Sequence, residues 1–215
     1  MSKISLIFYW VFFAVLNLKA SEYEITVLAT NTANFGGIGE WSFSALLESD
    51  DEKILFDTGF NENTVLHNAN LLGKDLSQVE KVILSHFHGD HTGGLIKLRK
   101  TFKEINPKAF STVYVADGFF EQRYDENGEL RGFIGGFNDV DNFLKETDDL
   151  GIRFVILKEP IEISKNLYLS GPVERIHERV VVSPGFYLKK DGLLLDDLVL
   201  DDQSLGILTE QGWYM

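Results

Sequence analysis

Ser85-His86-Phe87-His88-Gly89-Asp90-His91-Thr92-Gly93-Gly94 is the stretch on which the reading of this chain turns. Three of the five histidines of the chain fall in it, directly after the apolar run Val82-Ile83-Leu84, and a glycine pair closes it. An apolar run that breaks into His, Asp and Gly is expected to be a buried strand whose tip carries a metal site. Zinc takes neutral imidazole nitrogens at about 2.0–2.1 Å and carboxylate oxygens at about 2.0–2.2 Å, usually as four donors in a tetrahedron. In extended backbone, residues two apart point the same way, so His86 and His88 are expected to converge on one ion while Phe87 turns into the core. Gly89 is expected to let the chain swing round and bring Asp90 and His91 back to the same cleft. Donors spaced so closely crowd a single tetrahedron. Two zinc ions sharing a bridging water fit better, with His86 and His88 on one and Asp90 and His91 on the other. A lone histidine is usually a surface or core residue, whereas three with an aspartate at a strand end point to a metal.

Upstream of this stretch, residues 24–29 read as a strand with Ile25, Val27 and Ala29 on one face. Phe43, Ala45 and Leu47 alternate as a second strand, and Asp50-Asp51-Glu52 turns the chain into Lys53-Ile54-Leu55-Phe56, so a hairpin is expected. Asp57-Thr58-Gly59 ends the third strand, and a helix is expected over residues 61–72 with Val65, Leu66, Ala69 and Leu72 inward and Gly73 as its stop. Asp57 admits two roles there, accepting a hydrogen bond from the metal loop or capping that helix.

Downstream, a helix is expected over residues 95–105, with Leu95, Leu98, Phe102 and Ile105 on one side and Lys97, Arg99 and Lys100 on the other. Strands are expected at residues 112–116, 152–157, 167–170 and 204–210, and a short helix at 141–145. The Gly-Phe loop at residues 133–137 either walls a substrate pocket or packs as an ordinary loop. The charged run at 173–182, with Arg175 and His177, reads either as a solvated face or as a contact for an anionic substrate.

The chain of 215 residues suffices for one domain with a sizeable core. Its start, Met1-Ser2-Lys3 followed by an apolar run too short to span a bilayer and then Leu18-Lys19-Ala20, reads as a signal peptide over residues 1–20. A secreted or periplasmic domain over residues 21–215 is therefore expected, with no stable membrane span once the signal is removed. The absence of cysteine excludes disulfides and thiolate zinc sites, so any metal must be held by His and carboxylates. A formal net charge of −13 repels phosphate backbones, which argues against nucleic acid as a partner and for a small-molecule substrate.

His86, His88, Asp90 and His91 in the order HFHGDH, preceded by Leu55-Phe56-Asp57-Thr58-Gly59, resemble the two N-terminal signatures of the metallo-β-lactamase fold hydrolases. Glu40-Trp41-Ser42-Phe43-Ser44 before the LFDTG and Asp201-Asp202-Gln203-Ser204-Leu205 near the end are similar to a narrower branch, the dihydropterin ribofuranosyl-aminobenzene phosphate synthases and their relatives. The resemblance implies an α/β fold of the αββα sandwich type and metal-assisted hydrolysis by an activated water. It also implies Asp90 as a ligand that handles the nucleophile's proton, and Asp57 as support behind the ligands. In complete members further metal-binding histidines and a bridging aspartate follow the DDQ-like segment. Here none does, and neither His67 nor His177 stands in a matching motif. The expectation is a domain whose C-terminal half is incomplete. It is read as a fragment of a longer enzyme, a chain completed by another subunit, or a metal-binding remnant without turnover.

Overall fold

The apolar runs of the N-terminal half become strands buried on both faces. In the computed structural model, which describes residues 23–132, 134–174 and 184–215, the chain opens with β1 (Glu24–Ala29), β2 (Ser44–Glu48) and β3 (Lys53–Phe56). It continues through α1 (Thr64–Leu71), β4 (Val79–Ile83), α2 (Gly89–Thr92), α3 (Leu95–Phe102), β5 (Thr112–Ala116), β6 (Arg123–Tyr124), α4 (Val140–Asp149) and β7 (Arg153–Leu157). Then come β8 (Ile161–Ser164), β9 (Leu167–Leu169), β10 (Tyr187–Lys190), β11 (Leu193–Asp196), β12 (Leu205–Thr209) and β13 (Gly212–Tyr214). The expected signal peptide and the pair Arg175 and His177 lie outside the described residues.

A six-stranded sheet in the order β1-β2-β3-β4-β5-β7 forms the centre, antiparallel from β1 to β3 and parallel from β3 to β7. Successive side chains of a strand face opposite ways, so a strand covered on both sides must be apolar at nearly every position. Leu46, Leu55 and Val82 face one side with Val65 and Ala69 of α1, Leu95 and Leu98 of α3, and Phe143 of α4. Their neighbours Leu47, Ile54 and Ile83 face the other, against Leu167, Leu169 and Ile207 of a four-stranded antiparallel sheet ordered β13-β12-β9-β8. The layers therefore run helix, sheet, sheet, three of the four layers of an αββα sandwich, and no helix follows α4 among the described residues. A third small sheet, β11-β10-β6, stands apart.

Three local expectations give way to identifiable physics. At the sheet edge, β1 shifts register between Val27 and Ala29, so Leu28 and Ala29 both turn inward while Ile25 and Val27 are exposed. Helix α1 starts at Thr64 instead of residue 61, because the preceding turn is tied by Glu40, whose carboxylate accepts from Phe60 N, Asn61 N and Thr64 Oγ1. Arg99, expected on a solvent face, is buried. Its guanidinium donates to the carbonyls of Leu150, Pro107 and Ala109, binding α3 to the end of α4 and the approach to β5.

A second buried arginine joins the small sheet to the centre. Arg123 of β6 donates from Nε to Asp197 Oδ2 at 3.1 Å and from Nη2 to Asp201 Oδ1 at 2.9 Å. Its Nη1 is spent on the carbonyls of Gly118, Phe119 and Glu121. One guanidinium thus faces two buried carboxylates. Burial, with the neighbouring Asp197 adding to it and Arg123 opposing, pushes Asp201 up to about 6.

Two outcomes follow from this packing. Gly93 and Gly94 both have negative φ, yet a Cβ on Gly93 would run into Phe60 O and one on Gly94 into Thr58 O. Gly93→Ala should therefore lower the unfolding free energy by about 1–3 kcal/mol in urea titration, the usual cost of overpacking. At Asp201 the folded carboxyl keeps its proton to higher pH than the roughly 3.9 of an unfolded aspartate. Its contribution to stability is then complete below that value and is lost as pH rises through about 6. The stability advantage of the wild type over Asp201→Asn should shrink across that window, by roughly 2–3 kcal/mol at 1.36 kcal/mol per pKa unit, and level off above it.

Candidate metal centre

The loop after β4 leaves the sheet because its amides are claimed by side chains. Leu84 N still donates to Tyr114 O of β5, but Ser85 N turns onto Asp57 Oδ1 at 2.7 Å and Phe87 N onto Asp201 Oδ2 at 2.8 Å. Residues 85–87 therefore bend where extended backbone was expected, and His88 (φ −58, ψ 145) begins a single helical turn, α2. Gly89 is the first residue of that turn, so the chain reverses by helix and not by a swing about a glycine hinge. The histidines meet all the same. His86 Nε2 lies 2.8 Å from His88 Nδ1, and the His86 ring centroid is 4.6 Å from that of His88 and 4.3 Å from that of His91. Phe87 goes into the core as expected, under the Arg123 guanidinium and edge-on to Phe186.

Asp57 settles between its two expected roles. It is fully buried at the end of β3 with φ +56, a left-handed conformation that non-glycine residues adopt at a cost. Its carboxylate does not cap α1. Oδ1 accepts from Ser85 N, and Oδ2 accepts from Ser85 Oγ at 2.8 Å and His91 Nδ1 at 2.7 Å. With Nδ1–H donated to Asp57, His91 presents Nε2 on the far side of its ring, 3.5 Å from Asp90 Oδ2. Burial works against the charged ring of His91. The Asp57 hydrogen bond and charge, helped by Asp90 and Asp202, outweigh it and hold its pKa above the usual value. His88 shifts the other way, since burial lowers its pKa more than Asp90 and Asp197 raise it, and its ring is neutral at pH 7.

The donors come as two pairs, His86 with His88 and Asp90 with His91. Among the described residues no group of three or more His, Asp and Glu side chains is placed to hold one ion. The chemistry of each pair nevertheless suits a divalent cation. Two donors on a tetrahedral zinc with bonds of about 2.0–2.1 Å stand about 3.3–3.4 Å apart. His91 Nε2 and Asp90 Oδ2, 3.5 Å apart, are near that edge, whereas His86 Nε2 and His88 Nδ1 stand at hydrogen-bond distance, 2.8 Å, and must part by about half an ångström to share an ion.

Around this cluster the structure places residues to which the sequence assigned no role, Ser85 and Arg123 among them, and gives a physical one to the DDQ segment. Ser85 Oγ lies 3.0 Å from His86 Nδ1 and 3.2 Å from His91 Nδ1, and so joins the two histidines directly. Gln203 binds Ser85 O through its own amide and Leu84 O through Nε2, so part of the DDQ segment lies directly behind the loop. Arg123 and Asp201 stand behind Phe87, and no spacing rule connects residues so far apart in the chain. Phe133 of the Gly-Phe loop lies outside the described residues; in the described part Ile134 is buried, Phe137 is edge-on to Phe143 and Gly135 N donates to Thr92 Oγ1 of α2. His67 lies elsewhere, on α1, with Nε2 2.8 Å from Gly36 O.

Residues 42–163, which contain this cluster and most of the central sheet, match the metallo-beta-lactamase superfamily. The chain is 30% identical over 205 residues to a 7,8-dihydropterin-6-methyl-4-(beta-D-ribofuranosyl)-aminobenzene-5'-phosphate synthase of Methanocaldococcus jannaschii, covering 90% of this chain and 66% of that protein. An uncharacterised protein of the same archaeon is 32% identical over 181 residues, covering 84% of this chain and 64% of that one. The chain thus spans slightly less than two thirds of the length of either relative. A solved metal-dependent hydrolase of the beta-lactamase superfamily superposes with a TM-score of 0.65 at 28% identity, covering 89% of this chain and 64% of that one. The layered fold, the strand-tip histidines and these similarities lead to one conclusion: the chain belongs to the metallo-beta-lactamase superfamily.

Proposed function

We propose that the chain is a zinc-dependent hydrolase of small molecules that works through a metal-activated water, with His86 and His88 holding one ion and Asp90 and His91 a second. The observation that carries this reading is the pairing itself: two imidazole nitrogens 2.8 Å apart, and an imidazole nitrogen beside a carboxylate oxygen, on one short loop. A bound zinc supplies Lewis acidity to the bond being broken and to the attacking water. The protein's own part is orientation and proton handling. Asp57 holds the Nδ1 proton of His91 and so directs its Nε2 toward Asp90. Asp90, whose side chain is only partly covered, is the carboxylate placed to take the water's proton. Burial keeps His88 in its neutral, ligating form. Trp41 and Phe60, both exposed, adjoin segments bonded to α2 through Phe43 N to Asp90 O and Gly93 N to Gly59 O, and offer apolar surface for a small substrate. Export by residues 1–20 belongs to the same proposal, and intact mass of the protein recovered from culture medium or periplasm tests it.

A second reading is metal binding without turnover, favoured by the absence of any three-donor group among the described residues. Metal analysis by mass spectrometry, run beside assays on esters, lactams and phosphodiesters, separates the two. One or two zinc ions per chain with hydrolysis that His86→Ala and Asp90→Asn each reduce on the order of a hundredfold supports the hydrolase. Metal without hydrolysis supports the second reading, and fewer than about one zinc per chain with no turnover overturns the first.

A further inference from the structure

His86 and His88 flank Phe87, so the backbone of Phe87 sets how far apart and in what relative direction the two histidines leave the chain. Phe87 is held from both sides. Its amide donates to Asp201 Oδ2 at 2.8 Å, and its ring lies beneath the Arg123 guanidinium, whose Cζ is 3.6 Å from the ring centroid. Asp201 uses its other oxygen, Oδ1, for Arg123 Nη2 at 2.9 Å, so the carboxylate links the two grips. Arg123 has no freedom to pivot, since Nε is bound to Asp197 and Nη1 to three backbone carbonyls. All three side chains are buried, as is the Phe87 ring.

We propose that Asp201 and Arg123 are positioning residues that set the 2.8 Å approach of His86 Nε2 to His88 Nδ1 by fixing the Phe87 backbone between them. This rests on the metal reading above and deepens it. The Asp201 carboxylate is needed because it accepts from two donors lying in different directions, one on each oxygen. An asparagine offers one oxygen and turns an amide toward the other donor. The arginine fork is needed because it reaches Asp197 and Asp201 at once while lying flat on the ring, which a lysine ammonium cannot do. Asp197 serves as the internal contrast. It binds Arg123 as Asp201 does, and also caps its own loop through Val199 N, but its described hydrogen bonds do not reach Phe87.

The test compares Asp201→Asn, Arg123→Lys and Asp197→Asn for thermal stability without metal, for zinc affinity by competition with a chromophoric chelator, and for the visible spectrum of the cobalt-loaded protein. All three variants are expected to lose stability. Asp201→Asn and Arg123→Lys are expected to lose zinc affinity by roughly 10–100-fold, the range seen when support behind a metal ligand is removed. Their cobalt spectra should shift, while Asp197→Asn, which loosens Arg123 at Nε but leaves the Asp201 bond to Phe87 N in place, should shift its spectrum and lose affinity less than Asp201→Asn does. Equal zinc affinity in Asp201→Asn and Asp197→Asn would overturn the proposal. If the variants fail to fold, amide hydrogen exchange in the metal-free wild type decides it: Phe87 should exchange as slowly as Val82 in β4, and exchange at the rate of an open loop overturns the grip. A wild type that binds no zinc defeats the metal reading, a result distinct from either of these.

Discussion

A single buried carboxylate, that of Asp57, joins the end of β3 to the loop after β4, and the candidate centre depends on it. Burying a carboxylate is costly unless its oxygens are fully used, and here three donors use them: the Ser85 amide, the Ser85 hydroxyl and the His91 ring. The left-handed backbone at Asp57 is part of the same arrangement, turning the side chain back across the strand tips instead of onward to α1. Such strain persists only where surrounding contacts over-determine it. Ser44 Oγ donating to Asp57 O and Asp57 N donating to Ile83 O supply that from the flanking strands.

The close approach of two backbones follows from this bond. For His91 to reach Asp57, α2 must lie directly against Thr58, Gly59 and Phe60. Thr58 N donates to His91 O and Gly93 N donates to Gly59 O at that contact. No side chain fits there, which is the physical need for the glycine pair. Its φ values are ordinary, and the constraint is steric.

Much of the central sheet was legible because its inner strands β2, β3 and β4 carry information on both faces. Leu46-Leu47, Ile54-Leu55 and Val82-Ile83 are apolar in both registers, and both registers are covered, one by helices and one by the second sheet. The meeting of His86, His88, Asp90 and His91 on one loop was legible for a similar reason, since the loop is too short to scatter its donors. The small sheet was not. Tyr187-Leu188-Lys189-Lys190 and the two residues of β6 carry no alternation strong enough to mark strands, and they pair because Arg123 is anchored in the interior. Arg123 itself lies in an irregular stretch of mixed polarity, where a buried arginine looks like a surface one until its carboxylate partners arrive from 74 and 78 residues away. The DDQ segment was visible only as a likeness. Its physical content, a carboxylate on the Phe87 amide and a glutamine amide on Leu84 O, needed the tertiary fold.

These supports divide the loop into two parts with different dependencies. His91 is held by Asp57, which directly follows β3 in the middle of the central sheet. The His86–Phe87–His88 segment is held by Asp201 and Arg123, which come from a late segment and a peripheral sheet. Removing one partner of a buried ion pair strands a charge and costs about 3–5 kcal/mol, so a disturbance at Arg123 or Asp201 is felt strongly, but first at Phe87. The two parts communicate through Ser85, whose hydroxyl lies within 3.0 Å of His86 Nδ1 and 3.2 Å of His91 Nδ1. Ser85→Ala would remove that link together with one of the three donors to the Asp57 carboxylate, while leaving the Asp201 and Arg123 contacts to Phe87 in place. The centre is therefore a shared contact between two segments with separate supports, one beside β3 and one from the late segment and the small sheet, and its geometry needs both.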